Sequence, residues 1–320
     1  MNGSVRISGD WKDHLAMHQG NPVASLDVKL KDGNVGGIKK FKLFLPKTRN
    51  GINEVAVANL FTYLGLLAPR TSLVNVNVND VNLPYIFQEK ASKEFLEAND
   101  KRESAIYKFD ESLMWLMRQR QKNASFAALI SPVIINNKWG ADNATSSRIT
   151  NTGLNKLSNE FNKSHRGLLH ENLALSESEL AGKFNKSKQT QTFFVILSTI
   201  SRADHGIMVN HNRRFYYNPF SSQLEPIYYD GYVNLPSLNK DLTSIPSFNK
   251  SLEKNHQAKS VLSKISSPSD FIYAKKMLDS IDIGEFKTIL SRNGVNLDFQ
   301  TIENFKNELL SNLAILKAAV

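Results

Sequence analysis

The sequence predicts an α+β protein, β-rich in its first part and mainly helical in its second. Two observations carry that prediction. Between Val23 and Glu89 apolar and polar residues alternate in four short runs, interrupted by turn signals and one helical stretch. From Lys90 onward apolar residues recur instead at helical spacing, with a single alternating interruption near residue 220. Strands first and helices afterwards give an α+β, two-lobed architecture: a β-rich N-lobe over residues 1–89 and a helical C-lobe over 90–320, together one unit.

Taken in order, residues 1–22 are mixed, with Gly9-Asp10 a turn inside VRISGDWKDHL. VASLDVKLK and IKKFKLFLP then alternate on either side of the glycine-bearing KDGNVGG, as a hairpin does. In the second strand Lys42 lies on the face opposite Phe41 and Leu43. Asn50 to Leu66 reads as an amphipathic helix with Ile52, Val55, Leu60, Phe61 and Leu64 on its stripe, Glu54 in its first turn and Gly65 after it. TSLVNVNVN and LPYIFQE form a second hairpin around Asn79-Asp80.

The helical part contains KEFLEAN, ESLMWLMRQRQ, NASFAALI, NKLSNEF, ESELAGKF and KQTQTFFVILSTISR. After residue 247 come helices near Lys250–Ile265, Pro268–Ile281, Glu285–Asn293 and Phe299–Ala319. No repeat at solenoid spacing is present.

The chain has 320 residues, 41% of them apolar, enough for one large core, and no apolar run approaches a membrane span. Its N-terminus carries no apolar signal core, so the expected place is the cytoplasm. There is no cysteine, which excludes disulfides, thiol nucleophiles and thiolate zinc sites. The net charge of +10 is scattered over KLKDG, NKSHR, NKSKQ and SLEKN rather than gathered on one face, so no nucleic-acid partner is expected.

The chemistry concentrates between Arg202 and Gly231. A helix ends at Arg202, a polar loop carries Asp204, His205, Asn210, His211 and Asn212, and two strands, RRFYY and LEPIYY, lead into Asp230-Gly231. A hairpin folds the chain back on itself, so the residues before its first strand and after its second share one edge. Asn210, Asn212 and Asp230 then meet there with Asp204 beside them, an oxygen set suited to a hard cation such as magnesium. Asp and Asn are also ordinary turn residues, and Asp-Gly an ordinary turn pair. The ordered set carries the signal, rather than any one residue.

KFKLFLP–TRNGINEVAVANLFTYLGLLAPRTSLVNVNVNDVNLPYIFQEKASKEFLE resembles the N-lobe of the CotH-like kinases, the family of the spore coat protein H. SRADHGIMVNHNRRFYYNP…LEPIYYDG is similar to that family's catalytic and metal-binding segments, so the resemblance covers most of residues 5–100 and 190–235. It implies an atypical protein-kinase-like fold and transfer of the ATP γ-phosphate to a hydroxyl of a protein, a surface glycan or a small molecule. Carried over by residue, it makes Lys42 the phosphate-contacting lysine, with Lys40 and Lys47 as competitors for that role, and Glu54 its ion-pair partner. Gln88 and Glu89 fall where adenine is held through backbone groups, and Asp204 matches the catalytic aspartate.

Asp230 matches the metal aspartate. The metal asparagine is Asn212, which directly precedes the hairpin strand, or Asn210; the ion would be magnesium or manganese. Arg202 stands where it would contact the loop or a substrate phosphate, or cap its helix. The chain departs from common kinases in its longer loop and in lacking G-x-G-x-x-G. Gly9, or the turn with Gly33, Gly36 and Gly37, would have to stand in for that loop. Two other readings compete: an inactive kinase-shaped binding module of a surface or coat assembly, and a metal-dependent phosphoesterase using Asp204, His205, His211 and Asp230.

Overall fold

A computed structural model describes residues 1–9, 12–121, 130–164, 185–238, 245–254, 262–263 and 266–320. It is a mixed α+β structure in which every pairing between strands is antiparallel. The first part runs β1 (Gly3–Ile7), β2 (Leu15–His18), β3 (Asn21–Ala24), β4 (Leu26–Leu30), β5 (Lys40–Phe44), α1 (Ile52–Tyr63), β6 (Thr71–Val78) and β7 (Val81–Glu89). Five strands form one sheet in the order β1-β4-β5-β7-β6, and β2 with β3 makes a separate ribbon. The second hairpin turns through Asn79 and Asp80, both at positive φ (49° and 63°), the backbone a two-residue turn needs to match strand twist.

Register across this sheet decides what surrounds Lys42. Asp27 on β4 and Gln88 on β7 stand directly opposite it, so the three side chains share one face. Phe41, Leu43, Tyr85 and Phe87 alternate to the other face and close a core of their own. Phe44 and Ile86, on the Lys42 face, belong instead to the main core with α1.

The second part continues with α2 (Lys93–Ala98), β8 (Ile106–Asp110), α3 (Ser112–Arg120), β9 (Ser131–Ile134), α4 (Asn137–Gly140) and α5 (Ala144–Ser164). Then follow α6 (Asn185–Ile200), α7 (His205–Met208), β10 (Arg214–Asn218), β11 (Gln223–Ile227), α8 (Phe248–Lys254), α9 (Pro268–Asp279), α10 (Ile283–Arg292) and α11 (Phe299–Ala319). One departure from the sequence expectation lies here. IYKFD and SPVI are strands, and they extend the central hairpin into a four-stranded sheet, β11-β10-β8-β9. A five-residue run among helices is too short for periodicity alone to type it. What settles it is that Tyr107 and Phe109 alternate inward against Phe215 and Phe161. The helices expected over NASFAALI and ESELAGKF lie outside the described residues, apart from Ile130 at the end of the first; so does most of the Lys250–Ile265 helix beyond Lys254.

The helix expected to be amphipathic, α1, is buried nearly all round. Residues 53–58, Leu60 and Phe61 are all covered, and its apolar side chains share one cluster with Phe193–Leu197 of α6, Phe215 of β10 and Leu309 of α11. A helix enclosed on all sides must satisfy any polar residue it carries. At its start it does so on one partner, the segment after Asp230. Asn53 accepts from the Leu235 N–H at 3.2 Å, Asn50 donates to the Val233 carbonyl at 2.9 Å, and Glu54 accepts from the Gly231 N–H at 3.3 Å.

Candidate functional site

The loop bearing Asp204 is set by how α6 stops. The Ala203 N–H reaches back to the Ser198 carbonyl at 2.7 Å and the Arg202 N–H to Thr199 at 3.0 Å, a Schellman-type ending. The left-handed position that glycine usually fills is taken by Arg202 at φ 55°. Asp204 follows at the head of α7, and its carbonyl accepts from Ile207 and Met208. It borders a cavity of about 160 Å3 that is also lined by Thr199, Arg202, Asn234, Phe248 and Ser251. Arg202 spans the mouth of α8, donating from Nη1 to the Pro246 carbonyl at 2.9 Å and to Ser251 at 3.3 Å.

Two glycines let this loop meet the segment that runs from β11 to Asp230. A Cβ on Gly206 would stand 2.7 Å from the Tyr229 carbonyl oxygen. One on Gly231 would stand 2.3 Å from the Tyr228 hydroxyl and 2.9 Å from the Ala203 methyl. Side chains there would force the two segments apart.

Asp230 itself is 4% exposed and left-handed (φ 53°), a conformation aspartate tolerates. Its Oδ1 lies 2.9 Å from Nη1 of Arg49 and 3.6 Å from Nδ1 of His205, while its carbonyl oxygen is 3.1 Å from that same His205 nitrogen. Asn212 Nδ2 also meets His205 Nδ1, at 3.0 Å. The hairpin thus brings Asn212 and Asp230 to one imidazole. Burial disfavours the Asp230 charge, but Arg49 and then His205 outweigh it and hold the carboxyl below its usual range. His205 is likewise opposed by burial and raised by Asp230. The other imidazole turns elsewhere, His211 Nδ1 lying 2.9 Å from Glu111 Oε2. The side chain of Asn210 lies outside the described residues.

Glu54 is not where the kinase likeness put it. Among the described residues no ion pair joins it to Lys42. It sits in the first turn of α1, fully buried, against Gly231, Tyr228, Arg49 and Asp230. The helix start faces the Asp230 segment rather than β5, and that orientation decides its partners. Burial, and next the Asp230 charge, push its carboxyl up from 4.5 to about 7. A folded pKa above the unfolded one means stability that is complete below 4.5 and lost as pH rises through about 7. Glu54→Gln keeps the acceptor for Gly231 and removes the titration. It is expected to abolish about 2–3 kcal/mol of the stability lost between about pH 5 and pH 8. Thermal unfolding of both proteins at the two pH values checks this; equal pH dependence would place Glu54 in a less buried setting.

Lys42 has its Nζ 5.4 Å from the centroid of Phe44, and the same ring carries Arg49 at 4.3 Å. Arg214 lies 4.2 Å over Tyr229. Burial would raise the Tyr229 phenol, but Lys42, then Arg214 and Arg49, pull it down to about 8. Arg49 lies 6.0 Å from the same Tyr229 ring, so it links the Phe44 ring that Lys42 covers to the Tyr229 ring that Arg214 covers. Arg49 and Arg214 were missed from the sequence, where KTRNG and NRRF offer only basic residues beside turns.

The residues expected to hold adenine through their backbone are already engaged. Gln88 is laddered to Lys42 on one side and Thr71 on the other, and the Glu89 N–H donates to the Arg70 carbonyl. The Glu89 carboxylate is gripped by Arg70 at 2.8 and 2.7 Å. What remains is the side chain of Gln88, 1% exposed, whose Nε2 and Oε1 both lack a hydrogen-bond partner. At Gly9 (φ 109°) a Cβ would lie 2.1 Å from His14, so the glycine seats that ring beside Phe44. Gly33, Gly36 and Gly37 lie, all at positive φ, in the turn from β4 to β5.

No protein-family model matches this chain, and no curated protein matches it either. Among the described residues no helix is long and apolar enough to cross a membrane.

Proposed function

We propose that the chain is an ATP-dependent phosphotransferase of the CotH-like kind, with a two-lobed kinase-like arrangement, moving the γ-phosphate to a hydroxyl acceptor. One observation carries this reading. Lys42 and Arg49 share the Phe44 ring, Arg49 and Arg214 share the Tyr229 ring next to Asp230, and the buried Gln88 amide opposite Lys42 has no hydrogen-bond partner. Buried polar groups are nearly always satisfied, so an orphaned amide beside clustered cations favours a polar anionic ligand. A nucleoside triphosphate has both parts, a base for the amide and phosphates for the cations.

In this reading Lys42 and Arg49 neutralise phosphate charge, and the Gln88 amide meets the base. The Asp230 carboxylate and the side-chain oxygen of Asn212, two residues that both meet His205, would hold a magnesium or manganese ion, which would supply further charge neutralisation on the phosphates. Asp204 orients the acceptor hydroxyl and takes its proton. The cavity bordered by Asp204 and Arg202 supports an acceptor seat there, with protein serine or threonine, a glycan and a small molecule as candidate classes.

A second reading has an observation in its favour. Glu54 contacts Gly231 rather than Lys42, which suits a module that binds nucleotide without transferring phosphate. Incubation with ATP labelled separately at the α- and γ-positions, with magnesium or manganese and a generic protein acceptor, separates the two. Label from the γ-position is the expected result. Label from the α-position means nucleotide transfer, and no label together with an ATP-dependent rise in Tm favours the binding module.

A further inference from the structure

We propose that Arg49 competes with a divalent cation for the Asp230 carboxylate and, granting the nucleotide-binding reading, turns its charge to the phosphates once they are bound. Arg49 would thereby make tight metal binding conditional on nucleotide.

Arg49 closes the short turn Pro46–Thr48 that follows β5, so it is tied to the strand carrying Lys42. It is 8% exposed, pressed on Phe44 and 6.0 Å from the centroid of Tyr229. Its Nη1 lies 2.9 Å from Asp230 and 3.3 Å from the Thr48 carbonyl, and the guanidinium also hydrogen-bonds Tyr229. Its Nε is buried without a hydrogen-bond partner. A guanidinium offers five N–H donors in a planar fork that matches phosphate, so donor capacity is left for a second anion.

Charge balance gives the direction of the coupling. Arg49 Nη1 stands 2.9 Å from the Asp230 carboxylate and both side chains are nearly buried, so the guanidinium already balances the charge that a cation would need. A divalent cation at Asp230 adds positive charge beside Arg49, Arg214 and His205, and a buried site screens that repulsion poorly. Phosphates reverse the balance, since they take up Arg49 and leave Asp230 to the cation. Linkage makes this reciprocal: nucleotide tightens metal binding by the factor by which metal tightens nucleotide binding.

The test measures Mn2+ binding by electron paramagnetic resonance, without and with a non-hydrolysable ATP analogue, in wild type, Arg49→Gln and Arg49→Lys. Wild type is expected to bind Mn2+ weakly alone and at least about tenfold more tightly with the analogue. Arg49→Gln is expected to bind Mn2+ alone at least about tenfold more tightly than wild type and to lose most of the enhancement. Arg49→Lys keeps the charge and should stay within about threefold of wild type for the metal alone. If Arg49→Gln melts too low for direct titration, the Mn2+-dependent rise in its Tm serves as the readout and should exceed that of wild type. Equal or weaker Mn2+ binding by Arg49→Gln, with wild type still binding the Mn2+–analogue pair, overturns the competition and leaves the nucleotide reading standing. A wild type that binds neither Mn2+ nor the analogue overturns both.

Discussion

Asp204→Asn is expected to lower γ-phosphate transfer by about 10²–10⁴-fold while nucleotide binding changes little. The substitution keeps the shape of the side chain and removes its negative charge, and with it the capacity to take a proton. It should also leave the loop in place, because the loop is built from backbone: Ala203 to Ser198 at the end of α6, then the Asp204 carbonyl accepting from Ile207 and Met208. The Asp204 side chain does not cap α7, so the helix start does not depend on its charge. Transfer to a supplied acceptor and ATP-dependent thermal shift, measured side by side, check the prediction. Loss of both would make Asp204 a structural residue of the loop. Unchanged transfer would move the base elsewhere, with His205 the nearest alternative because its ring already meets Asp230.

Such a variant can be designed from sequence because a hairpin has a forced geometry. Whatever precedes its first strand and follows its second must meet, and Asn212 and Asp230 do meet, through His205. The Asn79-Asp80 turn and the helix Phe299–Ala319 were legible for similar reasons, local turn chemistry and a long unbroken period. β8 was not legible, since five alternating residues have no strong period and only pairing to β10 and β9 defines them.

The site divides along the same line. Lys42 could be placed on the face opposite Phe41 by alternation alone. That Gln88 stands across from it depends on the register between β5 and β7, which no local pattern encodes. The direction of Glu54 depends on how α1 docks against residues 231–235, and the Arg49–Asp230 pair joins positions 181 apart in the chain. Long-range packing decided each residue that the sequence misplaced or missed.

Lys42→Met should report on the site even before any acceptor is known. Lys42 is the first of the charges that lower the Tyr229 phenol to about 8 against the opposing effect of burial. A phenol depressed in the fold adds stability that grows as pH rises through about 8, so part of that gain must disappear with the lysine. The methionine chain is close in length and still packs on Phe44, which limits the damage to the sheet. Removing one unit charge from a phosphate site at partly screened distance is expected to weaken nucleotide binding by about 2–3 kcal/mol, roughly 30- to 150-fold. An ATP titration followed by Tm reads the second effect. An alkaline absorbance titration, with Tyr229→Phe to identify the phenol, reads the first. If the phenol shifts upward and ATP binding does not change, Lys42 lies beside Tyr229 but outside the phosphate site. If ATP binding falls together with the phenol shift, one lysine serves both groups, and the cations around Tyr229 form the seat of the triphosphate.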